Sequence, residues 1–361
     1  MGFVTGSTTL ARSDAPRPAR AARPGRRGAL WAALLAVLLV AVVLSISCGS
    51  RPIGPATTWH AVPYVLTGHA DAVPGVAPLD GAVVQTRVWR TAAGVLTGAA
   101  LAVAGALLQG ATRNPLGDPG ILGLTAGAAF AVVTGGALLG LSGVVNQLWL
   151  AAAGSAVAMT AVYALAAVAR GGARPVTLAL TGAAVSAGLT ALTSAILLSH
   201  QATFDTFRRW QVGELTRPDG TFLLLAAPVV LVALVLGWWL ARSLDTLSLG
   251  DALGRGLGTH PALTRSLVGV AVVLLAGTAT ALVGPLVFCG LLVPHAVRAL
   301  VGVSYRRVVP ACLLAGPGIV LLADVVARVV VPDREIQVGI ALVVIGAPAL
   351  VAVLRGRAVA T

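Results

Sequence analysis

The chain has 361 residues, of which 57% are hydrophobic and only 10% charged, with a mean hydropathy of +0.93. Soluble domains carry about 25% charged residues, which excludes an ordinary soluble protein. The formal net charge of +13 would point to nucleic acid in a soluble chain. Here the basic residues fall between apolar runs, so membrane orientation accounts for them and no nucleic-acid partner is expected.

All 25 basic residues are arginine. A P-loop needs a lysine to reach the nucleotide phosphates, so any ATP that drives this protein must be bound by another polypeptide. Cys48, Cys289 and Cys312 lie in or beside apolar segments without metal-ligand spacing and read as structural thiols. Cys48 does not suit lipidation, because Ser45 stands where an aliphatic residue is favoured and the polar leader is long. His60, His69, His200 and His260 also lack metal spacing, so neither a metal nor a cofactor is expected.

Residues 1–28 are rich in Arg, Pro and Ala and read as a disordered cytoplasmic tail; residues 29–357 form the transmembrane domain. A spanning helix needs roughly 20 apolar residues. Spans are expected near 29–48, 87–108, 119–140, 148–169, 176–199, 221–241, 263–283, 290–302, 307–330 and 336–355. The fold class is therefore an all-α polytopic membrane protein of about ten helices. Five spans followed by five suggest an inverted repeat. The eighth is too short to cross in a straight line. It follows Gly284-Pro285 and contains Pro294, which predicts a broken helix buried in protein or lining a cavity. In span two, Gly94, Gly98 and Gly105 are spaced for close helix packing. With both termini inside, 17 arginines lie on the cytoplasmic side and 8 outside, as the positive-inside rule requires.

Polar residues interrupt this pattern at a few places. In RNPLGDPG (113–120), Pro115 and Pro119 end one helix and restart the next, Asn114 lies in the turn, and Asp118 suits the positive end of span three. Residues 242–262 form the longest cytoplasmic loop. His295 is expected to hydrogen-bond at a helix end near Arg298. Asp324 and Arg328 are spaced i,i+4 and pair on one helix face. Arg87 and Arg90 open span two.

Three stretches, RVWRTAAGVLTGAALAVAGALLQGATRNPLGDPGILGLTAGAA (87–129), GPLVFCGLLVPHAVRALVG (284–302) and LLADVVARVVVPDREIQVGIALVVIGAPALVAVLR (321–355), resemble the permease subunits of bacterial ABC importers for iron-siderophores, haem and vitamin B12. The resemblance implies ten spans, dimerisation with a second permease chain (identical or related), two ABC ATPase subunits, and a periplasmic-type or lipid-anchored siderophore-binding protein. GDALGRGLG (250–258) resembles the coupling segment that docks into the ATPase, which singles out Gly250, Asp251, Arg255 and Gly258. Arg87, Arg90 and Arg328 match places where the family's arginines grip acidic residues of the binding protein. Asn114, Pro115, Asp118, Pro119, Pro294, His295, Arg298 and Asp324 carry the structural motifs. GVSYRRVVP and EIQVGIALVVIGAP resemble ferric-siderophore members most, with haem or vitamin B12 as alternatives.

Two other classes compete. An ion-driven secondary transporter needs acids or His near mid-span as coupling groups, and no convincing one stands out. An intramembrane enzyme needs a nucleophile–base pair, a metal cluster or paired carboxylates; none is visible, so the chain is not expected to be an enzyme. The expected localisation is the cytoplasmic membrane, multi-pass, in contact with the lipid bilayer.

Overall fold

A computed structural model of the chain describes residues 24–141, 143–169, 175–216, 220–331 and 335–358. The expected tail lies outside the described residues as far as residue 23, and helix begins at Pro24. The elements in order are α1 (Pro24–Ser47), α2 (Pro55–Leu66), α3 (Pro78–Thr112), α4 (Leu124–Leu138), α5 (Val144–Val168), α6 (Pro175–Ser199), α7 (Gln201–Gln211), α8 (Gly220–Ser248), α9 (Asp251–Gly256), α10 (Pro261–Val272), α11 (Thr278–Val283), α12 (Cys289–Val301), α13 (Tyr305–Val329) and α14 (Val338–Ala358). No strand occurs among the described residues. Among the described residues, seven helices or continuous helical stretches are long and apolar enough to cross a bilayer, and the shorter apolar helices Leu124–Leu138, Cys289–Val301 and Val338–Ala349 fall in the other three expected spans. The protein is an all-α polytopic membrane protein.

Proline sets several starts: Pro55, Pro78 and Pro261 each occupy a first-turn position of α2, α3 and α10, where the missing N–H costs nothing. Helix α3 begins at Pro78, nine residues before Arg87, so Arg87 and Arg90 lie inside a 35-residue helix rather than at its first turn. At about 1.5 Å per residue, α3 outruns the roughly 30 Å hydrocarbon core. At the other boundary, α8 continues to Ser248, so the expected loop at 242–262 narrows to the segment around α9. The break near span eight falls at residues 284–288, before α12, whereas Pro294 is accommodated inside that helix. The helices α2 and α7 and a π-helical turn at Val273–Gly277 had no sequence expectation.

Helix α3 is the hub, packed against α13, α8 and α12. Its glycines let neighbouring backbones touch. A Cβ on Gly98 would lie 2.8 Å from the Gly316 carbonyl oxygen of α13, and one on Gly105 only 1.8 Å from the Gly290 carbonyl oxygen of α12. In lipid there is little hydrophobic force between helices, so such close van der Waals contact supplies much of the association. The glycine spacing therefore serves packing within this chain.

Candidate functional site

The bundle carries polar clusters at its two ends and an unwound segment between them. At the end opposite α9, Arg87 and Arg90 of α3 and Arg328 of α13 are brought together and buried. Asp324, 0% exposed, accepts from Arg90 Nε at 3.0 Å and Nη2 at 2.7 Å, and pairs with Arg328 Nη2 at 3.0 Å. Arg90 Nη1 also donates to Glu335 at 2.7 Å, and Ser50 Oγ donates to the same carboxylate at 2.8 Å. Burial alone would raise the Glu335 carboxyl, but the hydrogen bonds from Arg90 and Ser50 and the charges of Arg90 and Arg328 together hold it below the usual range.

These arginines also close the end of α1. Arg328 Nη1 donates to the carbonyls of Ser45 and Cys48, and Arg87 Nη1 to those of Ile46 and Ser47. The last carbonyls of a helix have no partner within it, and a cation there also meets the negative end of the helix dipole. Three helices are thus fastened by one network, with a cavity of about 190 Å³ beside it lined by Arg87, Arg90, Arg328 and Glu335. The i,i+4 pairing of Asp324 with Arg328 is present; Arg90 as the larger share of Asp324's partners had no local sequence signal, since the two are 234 positions apart.

The turn RNPLGDPG forms as its residues require. Arg113 ends α3 in the left-handed region at φ 50°. The Asn114 side chain accepts from the Leu116 N–H at 3.0 Å, and Asp118 Oδ1 accepts from the Gly120 N–H at 2.8 Å. Asp118 thereby caps a short 3-10 turn, Pro119–Leu122, that leads into α4.

Around α9, Asp251 is the first helical residue and pairs with both Arg113 and Arg265. Hydrogen bonding by Arg265 is the main cause holding the Asp251 carboxyl below its usual value, aided by the charge of Arg113. Gly254 and Gly256 each cost roughly 1 kcal/mol relative to Ala in a helix, so support must come from outside it. Gly254 is buried against Leu247, and the Thr246 and Thr259 hydroxyls bond at 2.7 Å across the loop. On the outer side Leu253 and Leu257 are each 62% exposed, with Leu249 59% exposed and Arg255 and Gly258 also at the surface. Gly250, Asp251, Arg255 and Gly258 stand out in the sequence of this segment, whereas the leucines are indistinguishable there from the other apolar residues of an apolar chain.

In the unwound segment, Gly284 has φ 81° and Phe288 φ 71°. A bulky residue in the left-handed region is strained, and such strain clusters at functional positions. Phe288 lines a cavity of about 520 Å³ with Asp118, Ser186, Thr280 and Leu291. On the far side of the segment Gln109 of α3 donates to the Gly290 carbonyl at 3.2 Å and accepts from Arg298 Nη1 at 2.6 Å. Arg298 lies over the Tyr305 ring, and Pro294 and His295 are buried in α12. Among the described residues, no three His, Cys, Asp or Glu side chains gather as a metal site.

The model of the FecCD transport family matches residues 37–356, nearly the whole chain. The chain belongs to the FecCD transport family. Its relatives include the ferric enterobactin transport system permease protein FepD of Escherichia coli, 40% identical over 90% of this chain and 94% of that protein. The iron(3+)-hydroxamate import system permease protein FhuB of Bacillus subtilis is 37% identical over 87% of this chain and 79% of that protein. Among solved structures, an inward-facing transporter described as of the metal-chelate ABC type superposes with a TM-score of 0.77 at 25% identity, covering 91% of this chain and 99% of that one. As a FecCD member the chain is a transport permease.

Proposed function

We propose that this chain is the membrane subunit of an ATP-driven importer that moves a ferric-siderophore chelate across the cytoplasmic membrane. The observation that carries the proposal is the segment around α9: a short helix outside the spanning segments that exposes Leu253, flanked by exposed Leu249 and Leu257, in a FecCD chain that has no lysine for a P-loop. An exposed apolar knob beyond the bilayer calls for a protein partner, and an ABC ATPase subunit fits it. The chain itself then performs no hydrolysis. The α9 end is cytoplasmic in this reading, as are both termini, in keeping with the arginine distribution. A siderophore-binding protein docks at the opposite end, where Arg87, Arg90 and Arg328 shape the cavity beside Glu335. A second permease chain, identical or related, completes the pathway. The iron chelate is favoured as cargo because relatives over most of the chain carry ferric enterobactin and iron hydroxamates in their names.

The test is reconstitution with the partner ATPase and uptake of radioactive iron supplied as ferric enterobactin or a ferric hydroxamate. Wild type should retain the ATPase through purification and take up iron only with ATP. Leu253→Asp should lose the ATPase, because a charge then meets an apolar groove. Uptake that followed a proton gradient and ignored ATP would replace this reading with a secondary transporter.

A further inference from the structure

The side chains of α9 divide into two sets. Leu253, and Leu257 just past the end of α9, face away from the bundle, whereas the Asp251 carboxylate, still 35% exposed, is turned onto α3 and α10. Arg265 of α10 forks onto both oxygens, Nη1 to Oδ2 at 2.9 Å and Nη2 to Oδ1 at 2.8 Å, and Arg113 at the end of α3 donates to Oδ1 as well. Such bidentate, charge-assisted contacts are directional as well as strong. A helix of six residues is far too short to hold its own shape, so its N-terminus follows whatever Asp251 is fastened to. On the other side of the loop Asp245 of α8 accepts from Ser304 Oγ at 2.8 Å and the Tyr305 N–H at 2.6 Å, which open α13.

Beyond the clamp the contacts are continuous. Arg113 ends α3, and about one and two turns back Gln109 and Gly105 of the same helix hold the Gly290 backbone. Gly290 and its neighbour Phe288 line the 520 Å³ cavity. Close backbone contact transmits displacement because packed interiors hardly compress.

We propose that Asp251 is a positioning residue for energy coupling: it carries movement of α9 into α3 and α10, and through α3 to the unwound segment at 284–288, while the exposed leucines make the contact with the ATPase. The proposal rests on α9 being the coupling helix. It separates docking from transmission within one six-residue element. Asp251→Asn is a mild way to cut the link, because Arg265 Nε still donates to the Ala111 carbonyl at 3.3 Å and keeps α10 on α3.

The experiment uses the complex with its ATPase in lipid nanodiscs, with Cys48, Cys289 and Cys312 replaced by alanine. Spin labels are placed at Leu116 and Val303, both exposed, beyond the ends of α3 and α12. The interlabel distance is measured without nucleotide and after trapping with ATP and vanadate. The clamp predicts a nucleotide-dependent shift in the Asp251 background, its loss in Asp251→Asn with the ATPase still bound, and its return in Asp251→Glu. A normal shift in Asp251→Asn overturns the proposal, as does release of the ATPase by that variant, which would make Asp251 a docking contact. If Leu253→Asp holds the ATPase as firmly as wild type, the assignment of α9 as coupling helix has failed and the clamp falls with it.

Discussion

Replacing Asp324 with asparagine removes the full negative charge that stands between two buried guanidiniums. Asparagine has nearly the same shape, so packing is held constant and charge alone changes. With an effective dielectric near 20 and charges about 4 Å apart, each Arg–Asp attraction is worth about 4 kcal/mol. Part of the loss is offset: Arg90 keeps Glu335 at 2.7 Å, and Arg328 keeps the carbonyls of Ser45 and Cys48. The expected destabilisation is about 3–5 kcal/mol, the range for a buried ion pair that loses one partner. Arg328→Met leaves Asp324 paired with Arg90 and should cost less, about 1–3 kcal/mol for the carbonyls left without a donor. In the double variant the surplus positive charge is smaller than in Asp324→Asn, so the two effects should sum to more than the double variant shows. Reversible unfolding of the purified protein in mixed micelles with increasing denaturing detergent measures all three. A value for Asp324→Asn within about 1 kcal/mol of wild type, the scale of exposed pairs, would show that water reaches the cluster and refute the argument.

Gly105→Ala should be poorly tolerated, since its methyl group would fall 1.8 Å from the Gly290 carbonyl oxygen, whereas Gly136→Ala, whose nearest neighbour is Thr203 Cγ2 at 3.7 Å, should behave like wild type; thermal stability in detergent distinguishes them, and equal melting of the two would show that α3 and α12 are further apart. The Asp251 clamp should respond to acid in one direction. Its carboxyl is held below the usual value when folded, so its stabilisation is complete above the unfolded value and lost as pH falls through the folded one. Carbon-13 NMR of labelled aspartate should show the Asp251 midpoint rising in Arg265→Gln, and an unmoved midpoint would mean that the pair is not formed in solution.

The membrane fold was legible in the chain because bilayer crossing depends on local quantities, length and apolarity, that any window of sequence displays. The same holds for the turn at 113–120, whose proline, asparagine and aspartate act on backbone within two residues of themselves. Asp324 with Arg328 was readable for the same reason, being one helical turn apart. The extent of α3 was not, because two arginines near the start of an apolar run mark its apparent boundary until their partners are known. Those partners are Asp324 and Glu335, more than 230 positions away, and the terminal carbonyls of α1. Equally hidden was the division of labour in α9. The resemblance placed a coupling segment at 250–258, but only tertiary structure turns Asp251 onto α3 and α10 and leaves Leu253 and Leu257 outward. Charge pairing and exposure are properties of three-dimensional neighbours, and residues that share a neighbourhood here come from opposite ends of the chain. The sequence by itself determined that the chain crosses a membrane many times and where it bends; the tertiary structure decided which charges are fastenings and which surfaces remain free to meet a partner.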